Sequence, residues 1–210
     1  MKLYDMTMAP NPRRVRIFLA EKGMSLEMPQ VDIAKGENHS PDYRAINPRG
    51  VVPTLVLDDG SILDESVAIC RYLEGLHPEP NLMGRDPLEV ARIESWQRRI
   101  EFDGLFTVAG IFRNEAPHMA GRAVQGNAPP TEQSPEMAAR CRLLLPHFLA
   151  TLDARLGESA YVAGDRYTIA DITTLVTIDF AKWVKVRVPD EHANTRRWYA
   201  EVSARPSAKA

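Results

Sequence analysis

Over the first 76 residues, short apolar runs alternate with stretches of helical spacing. Lys2 to Met6 predicts a short strand. Asn11-Pro12 then opens a helix, with Asn as the capping acceptor and Pro at the first helical position. Val15, Phe18, Leu19 and Lys22 follow at helical spacing, and Gly23 suits the position just past the end. Leu26 to Ile33 carries apolar residues around Pro29, as an edge strand does. Ser40-Pro41 starts a short helix that Asn47-Pro48 ends. The runs Thr54 to Leu57 and Ser61 to Leu63 flank Asp58-Asp59-Gly60, a strong hairpin signal. A helix beginning near Glu65-Ser66 puts Ile69, Cys70, Leu73 and Leu76 on one face. The resulting order, β-α-β-α-β-β-α, is an α/β unit with one parallel crossover and one hairpin.

From Gly75 to Pro87 the chain holds three prolines and two glycines, which marks a linker. Everything beyond it reads as helix. Asp86-Pro87-Leu88-Glu89 combines a cap, a first-turn proline and an acidic third position. That helix runs past Trp96 and Ile100 toward Arg113. Ala116 to Ser134 is a loop rich in Gly, Pro, Asn and Ser. Ser134-Pro135 opens a helix with Met137, Cys141, Leu144, Leu145, Phe148 and Leu152 on one face, and Pro146 is expected to kink or restart it. Thr168-Ile169-Ala170-Asp171 has the form of a capping box before an apolar run, and a last helix carries Trp198, Tyr199 and Val202 and ends before Pro206. The predicted organisation is an α/β domain over 1–78, a linker over 79–86 and an all-helical domain over 87–210. No repeat of 20–50 residues is visible.

Composition narrows the classes. At 210 residues and 23.5 kDa, with 44% apolar residues, the chain can build one large core or two small ones. Lys and Arg total 26 against 28 Asp and Glu, a formal charge of −2 that lacks the basic excess of a general nucleic-acid binder. Two cysteines make neither a disulfide scaffold nor a four-cysteine zinc site, and no Cys-x-x-Cys pair offers thioredoxin-type redox chemistry. Both fall on apolar helical faces, as buried structural thiols do. The five histidines show no metal-ligand spacing, so no metal is expected. No signal-peptide run and no run of about 18 apolar residues is seen, so a cytoplasmic protein without contact to membrane is expected.

Three features of the first domain combine into candidate chemistry. The loop Thr7 to Pro12 feeds a helix N-terminus, whose free N–H groups and partial positive charge favour an anion, a thiolate included. Val52-Pro53 lies at the start of a strand. A trans edge-strand proline is one reading; a cis bond would turn the Val52 N–H and C=O toward a peptide ligand. Asp64-Glu65-Ser66 sits between strand and helix. Capping alone accounts for it, but Ser66 and the helix start also suit a carboxylate, with Glu65 beside them for an amine. A free α-amino acid head carries that pair of charges.

These residues resemble the cytosolic glutathione transferases, with a theta-like subgroup nearest. The resemblance rests on Pro10 to Ile17 with Glu21-Lys22-Gly23, on Asn47-Pro48-Arg49-Gly50-Val51-Val52-Pro53-Thr54-Leu55, on Leu63 to Ile69, and on Val162-Ala163-Gly164-Asp165 with Thr168 to Ile172. It spans essentially the whole chain. It implies an N-terminal thioredoxin-like α/β domain followed by an all-α domain, a homodimer, and glutathione as co-substrate with no further cofactor. It implies that Val52, ahead of Pro53, pairs its backbone with the cysteinyl part of glutathione. Glu65 and Ser66 would hold the γ-glutamyl head and His39 the glycyl carboxylate. Glu101 or Asp103 would reach the partner subunit's ligand, and Arg113, Asn114 and His118 would line the cleft for the second substrate. The family's serine-type members have Ser where Ala9 stands here. No hydroxyl at Ala9 can donate to a thiolate, which leaves Asn11 first and Thr7 second as donors, then a water held by Asn114 or His118.

The activity expected is conjugation of glutathione thiolate to a small hydrophobic electrophile. Two rivals stay open at this stage: a non-catalytic glutathione- or ligand-binding protein on the same fold, which Ala9 favours, and a glutathione-dependent disulfide or peroxide reductase.

Overall fold

A computed structural model of the chain describes residues 1–126 and 128–210; Asn127, within the loop expected between Ala116 and Ser134, lies outside the described residues. The chain divides into two units, Met1–Pro80 with Gln125–Pro129 and Ala210, and Asn81–Val124 with Pro130–Lys209.

In the first unit, strands β1 (Lys2–Tyr4), β2 (Thr54–Val56) and β3 (Ile62–Asp64) form an antiparallel sheet in that order. Leu55 sits at its centre, between Leu3 and Leu63. The hairpin joining β2 to β3 turns through Asp58-Asp59-Gly60, as the Asp-Gly pair predicts. The expected edge strand over 26–33 is corrected. It contributes only isolated parallel bridges, Glu27 to Lys2 and Gln30 to Asp5. Pro29, between them, has no N–H for the ladder, so the pairing along β1 stops short of a regular strand.

Helix α1 (Pro10–Glu21) begins two residues earlier than expected. Its N-cap is Ala9, not Asn11, and no side chain caps it. Two prolines in the first turn explain why the helix starts there all the same: each fixes a helical φ and neither has an N–H to orphan. Gly23, at φ +64°, closes the helix in the left-handed region where glycine carries no Cβ penalty. The short α2 (Pro41–Ile46) is capped by the Ser40 hydroxyl, which accepts from the Tyr43 N–H at 3.2 Å. Helix α3 (Ser66–Leu76) packs on α1, and Val15, Phe18, Ile69, Cys70 and Leu73 are fully buried there. Leu76, expected on the same face, is 46% exposed, because it lies in the last turn where the helix leaves α1.

The second unit opens with α4 (Pro87–Arg99), capped by Asp86, whose Oδ1 accepts from the Leu88 and Glu89 N–H groups at 2.9 Å each. The single long helix expected to Arg113 is broken in character. Residues Ile100–Leu105 form a π-helical stretch before α5 (Phe106–Glu115). Gly104 lies in it, and a Cβ there would come within 2.6 Å of the Phe148 ring. The glycine therefore lets α6 (Pro135–Glu158) approach. That helix runs through Pro146 without interruption, contrary to expectation. Leu145, Phe148, Leu149 and Leu152 are buried around the proline, and this packing offsets the one backbone bond it removes. Met137 and Leu144, assigned to the buried face, are instead about half exposed.

Helix α7 (Ile169–Ala181) is buried at every residue except Asp179. Its N-terminus carries the predicted capping box, with Asp171 Oδ2 accepting from the Thr168 N–H at 2.9 Å. The other carboxylate oxygen accepts from the Val162 N–H and from Trp198 Nε1, so one side chain ties the preceding loop and α8 (Ala193–Ser203) to α7.

Candidate functional site

The expected ligand contacts of the first unit gather around three turns. The first precedes α1. Thr7 is tied down at both its amide and its hydroxyl, which donate to Gln30 Oε1 at 3.0 and 2.8 Å. Gln30 Nε2 in turn donates to Asp5 Oδ2, and Arg16 donates to both Asp5 Oδ1 and the Thr7 carbonyl. The Thr7 hydroxyl proton is thus committed to Gln30. Asn11, freed from capping, lies in the first turn of α1, and its Oδ1 accepts from Arg14 Nη1 at 3.2 Å.

The second turn holds Val52-Pro53, whose peptide bond is cis. Residues that periodicity did not single out build it. The Tyr43 hydroxyl donates to the Val51 carbonyl at 2.6 Å and lies 3.0 Å from Thr54 Oγ1, while Asn47 Nδ2 donates to Thr54 Oγ1 at 2.8 Å. Burial pushes the Tyr43 hydroxyl pKa up to about 12, so it stays a neutral donor. Next to the turn, Asn38 Nδ2 donates to the Gly50 carbonyl at 2.9 Å. It also lies 3.1 Å from His39 Nε2, which sets His39 beside Gly50 with its ring exposed.

The third turn is Asp64-Glu65-Ser66. Glu65 is held at φ +66°, ψ 119°, unusual for a residue with a side chain. Its carboxylate is exposed, and Arg49 Nη1 bridges it and Asp64 at 2.8 Å each. The two carboxylates hold the guanidinium proton more tightly than usual. Ser66 is buried, and its hydroxyl donates to the Asn11 carbonyl at 3.0 Å. The structure therefore brings Ser66, Glu65 and Asn11 together through one hydrogen bond between α3 and α1. Only the polar character of Tyr43, Asn47, Arg49 and Gln30 hinted at their roles, because their partners lie four or more residues away.

In the second unit, Arg113 Nη1 donates to the Arg122 carbonyl at 2.9 Å, and burial lowers its pKa. Asn114 is occupied at both ends: Nδ2 donates to the Gly110 carbonyl and Oδ1 accepts from the Ser134 N–H, each at 2.8 Å. It links α5 to the cap of α6. His118 is exposed and sets its ring edge-to-face on Phe112, which also meets Phe180 and Trp183 at 5.4 and 5.7 Å. Of the two acids on the π-helical stretch, Glu101 is buried and paired with Arg98 at 2.8 Å. Asp103 is exposed and helps line a cavity of about 290 Å³ between that stretch and α6.

Both cysteines are buried. Burial raises the Cys70 thiol pKa to about 12, and also raises that of Cys141. Among the described residues no group of three or more His, Cys, Asp or Glu is placed to hold a metal ion, and no helix is long and apolar enough to cross a membrane.

Residues 9–76 match the model of the glutathione S-transferase N-terminal domain, and residues 116–206 that of the C-terminal domain. The chain is 38% identical to glutathione S-transferase 2 of Saccharomyces cerevisiae over its full length and 88% of that protein. The crystal structure of Gtt2 from Saccharomyces cerevisiae superposes with a TM-score of 0.91 at 37% identity, covering 100% of this chain and 99% of that one. A glutathione S-transferase domain-containing protein of Marinobacter aquaeolei gives the same score at 36% identity, with 99% of both chains covered. With the thioredoxin-like first unit and the helical second one, the chain belongs to the glutathione S-transferase family.

Proposed function

We propose that the chain is an enzyme that joins glutathione thiolate to small hydrophobic electrophiles in the cytoplasm, with glutathione as co-substrate. The observation that carries this reading is the start of α3. A helix N-terminus there adjoins the exposed carboxylate of Glu65, a pair of opposite charges that matches the zwitterionic γ-glutamyl head. The Ser66 N–H and the helix end take the carboxylate, Glu65 takes the ammonium, the Val52 main chain beside Pro53 takes the cysteinyl part, and His39 the glycyl carboxylate. The intact head-group site favours a transferase over the non-catalytic alternative.

The chemistry asks for thiolate at neutral pH. A free thiol titrates near 8.5, and lowering that by about two units needs roughly 2.7 kcal/mol of differential stabilisation. A helix N-terminus contributes about 0.3–1 kcal/mol. One charge-assisted hydrogen bond adds about 1.5–3 kcal/mol, so a side-chain donor is required. Asn11 is that donor: its Oδ1 faces Arg14, and Nδ2 makes no hydrogen bond to another described residue. Thr7 ranks behind it because its proton is given to Gln30. Asn114 is not free to serve as a donor, since both ends of its amide are used within the second unit.

The second-substrate cleft is assigned to Arg113, Asn114 and His118 with the rings of Phe112, Phe180 and Trp183, which suit an apolar electrophile. A homodimer is part of the reading, with Asp103 rather than the Arg98-paired Glu101 facing the partner subunit. The test is thiolate absorbance of bound glutathione against pH. Asn11→Ala is expected to raise the bound thiol's pKa and to lower kcat more than affinity. Asn11→Asp is expected to be worse, since a carboxylate repels the thiolate. A bound thiol that titrates as in the parent removes Asn11 from the role.

A further inference from the structure

We infer that Arg14 is a positioning residue for the thiolate, acting through the side-chain amide of Asn11; the inference rests on Asn11 being the donor. A guanidinium has N–H donors and no acceptor. Whatever faces Arg14 Nη1 at 3.2 Å must therefore be the amide oxygen, and Nδ2 with both its hydrogens points the other way. Without Arg14 the amide can turn over, and half of its orientations present an oxygen to the sulfur.

Three further observations set Asn11 apart from its neighbours. Ala9 caps α1 without a side-chain acceptor, so Asn11 is not spent on the helix end. The Ser66 hydroxyl donates to the Asn11 carbonyl, which fixes the backbone of this residue to the start of α3. The rival hydroxyl of Thr7 is held by Gln30. Arg14 itself is 3% exposed and its bond to Oδ1 is partly buried, and a charged donor there polarises the amide and strengthens its N–H groups. The ionisable groups on α3, which packs against α1, include Cys70 and Glu74. Cys70 is buried and neutral, and Glu74 pairs with Lys22 at 2.5 Å.

The experiment uses the full chain with glutathione itself as probe. Apparent thiol pKa, kcat and KM are measured for Arg14→Met, Asn11→Ala and the double variant, with thermal melts to confirm folding. Arg14→Met is expected to raise the bound thiol's pKa and to lower kcat by roughly three- to tenfold, the scale of one modest hydrogen bond, with KM little changed. Added to Asn11→Ala, it is expected to bring no further shift. Arg14→Lys, which keeps a charged donor, is expected to recover part of the lost kcat. Should Arg14→Met not fold, Arg14→Gln takes its place and is expected to shift the pKa in the same direction. A folded Arg14 variant with the parental thiol pKa, beside an Asn11→Ala that raises it, overturns the role of Arg14. Additive effects in the double variant overturn the route through Asn11. An Asn11→Ala that shifts nothing refutes the donor reading, and the Arg14 role with it.

Discussion

Ser66 shows how a residue chosen for one reason can act for another. Its place at the start of α3 suggests a ligand contact, yet its single hydroxyl proton already goes to the Asn11 carbonyl. The Ser66 N–H is the group left for a ligand carboxylate. Ser66→Ala is therefore expected to cost about 1 kcal/mol of unfolding free energy. Glutathione affinity, read by calorimetry, should fall by less. An affinity loss clearly larger than the stability loss would show that the hydroxyl turns to the ligand. The cysteines give the second prediction at this scale. A thiol whose pKa burial has raised to about 12 holds almost no thiolate at neutral pH. A folded Cys70→Ala, Cys141→Ala protein is expected to retain most of its turnover, and loss of turnover would point to a protein thiol in the reaction.

At the scale of elements, two helices carry predictions. The π-helical stretch Ile100–Leu105 meets α6 at Gly104, where a Cβ would lie 2.6 Å from a Phe148 ring that cannot simply swing aside. Gly104→Ala is expected to destabilise the protein by about 1–3 kcal/mol, the range for overpacking, in denaturant unfolding. The capping carboxylate of α7 sets a pH dependence. Asp171 is fully buried, and desolvation outweighs its hydrogen bonds from Val162, Trp198 and Thr168, raising its pKa from 3.8 to about 6. The folded state then binds this proton more tightly than the unfolded chain does. The associated stability is fully present below about pH 4 and is lost as the pH rises through about 6. Unfolding free energies measured across that window should show this decline in the parent and not in Asp171→Asn; equal slopes would mean that Asp171 titrates alike in both states.

For the whole molecule, an apolar surface on the second unit bears on assembly. Phe102 and Phe106 stack at 6.0 Å while each is more than half exposed, and Leu143 on α6 is 74% exposed. Exposed aromatic pairs of this kind are costly in a monomer. Sedimentation at micromolar concentration is expected to give a species of about twice the 23.5 kDa chain mass. A species at the single-chain mass would refute the homodimer.

Local chemistry determined where most elements begin and end. Ser40, Asp86 and Ser134 each cap the helix they precede, and Asp58-Asp59-Gly60 turns the hairpin, because a cap or a tight turn is decided by residues within four positions of each other. The buried faces of α3 and α6 were legible for the same reason, except where Leu76, Met137 and Leu144 meet no neighbour that periodicity can foresee. Tertiary structure decided what distant residues do to one another. It ran α6 through Pro146 and set the π-helical stretch before α5 against Phe148. At the candidate site, sequence alone determined the residue types at each turn. Only the fold could decide that Ser66 reaches Asn11 across 55 positions, that Gln30 takes the Thr7 proton, and that Asp64 and Glu65 share Arg49, since hydrogen bonds and ion pairs act over a few ångströms in space regardless of separation along the chain.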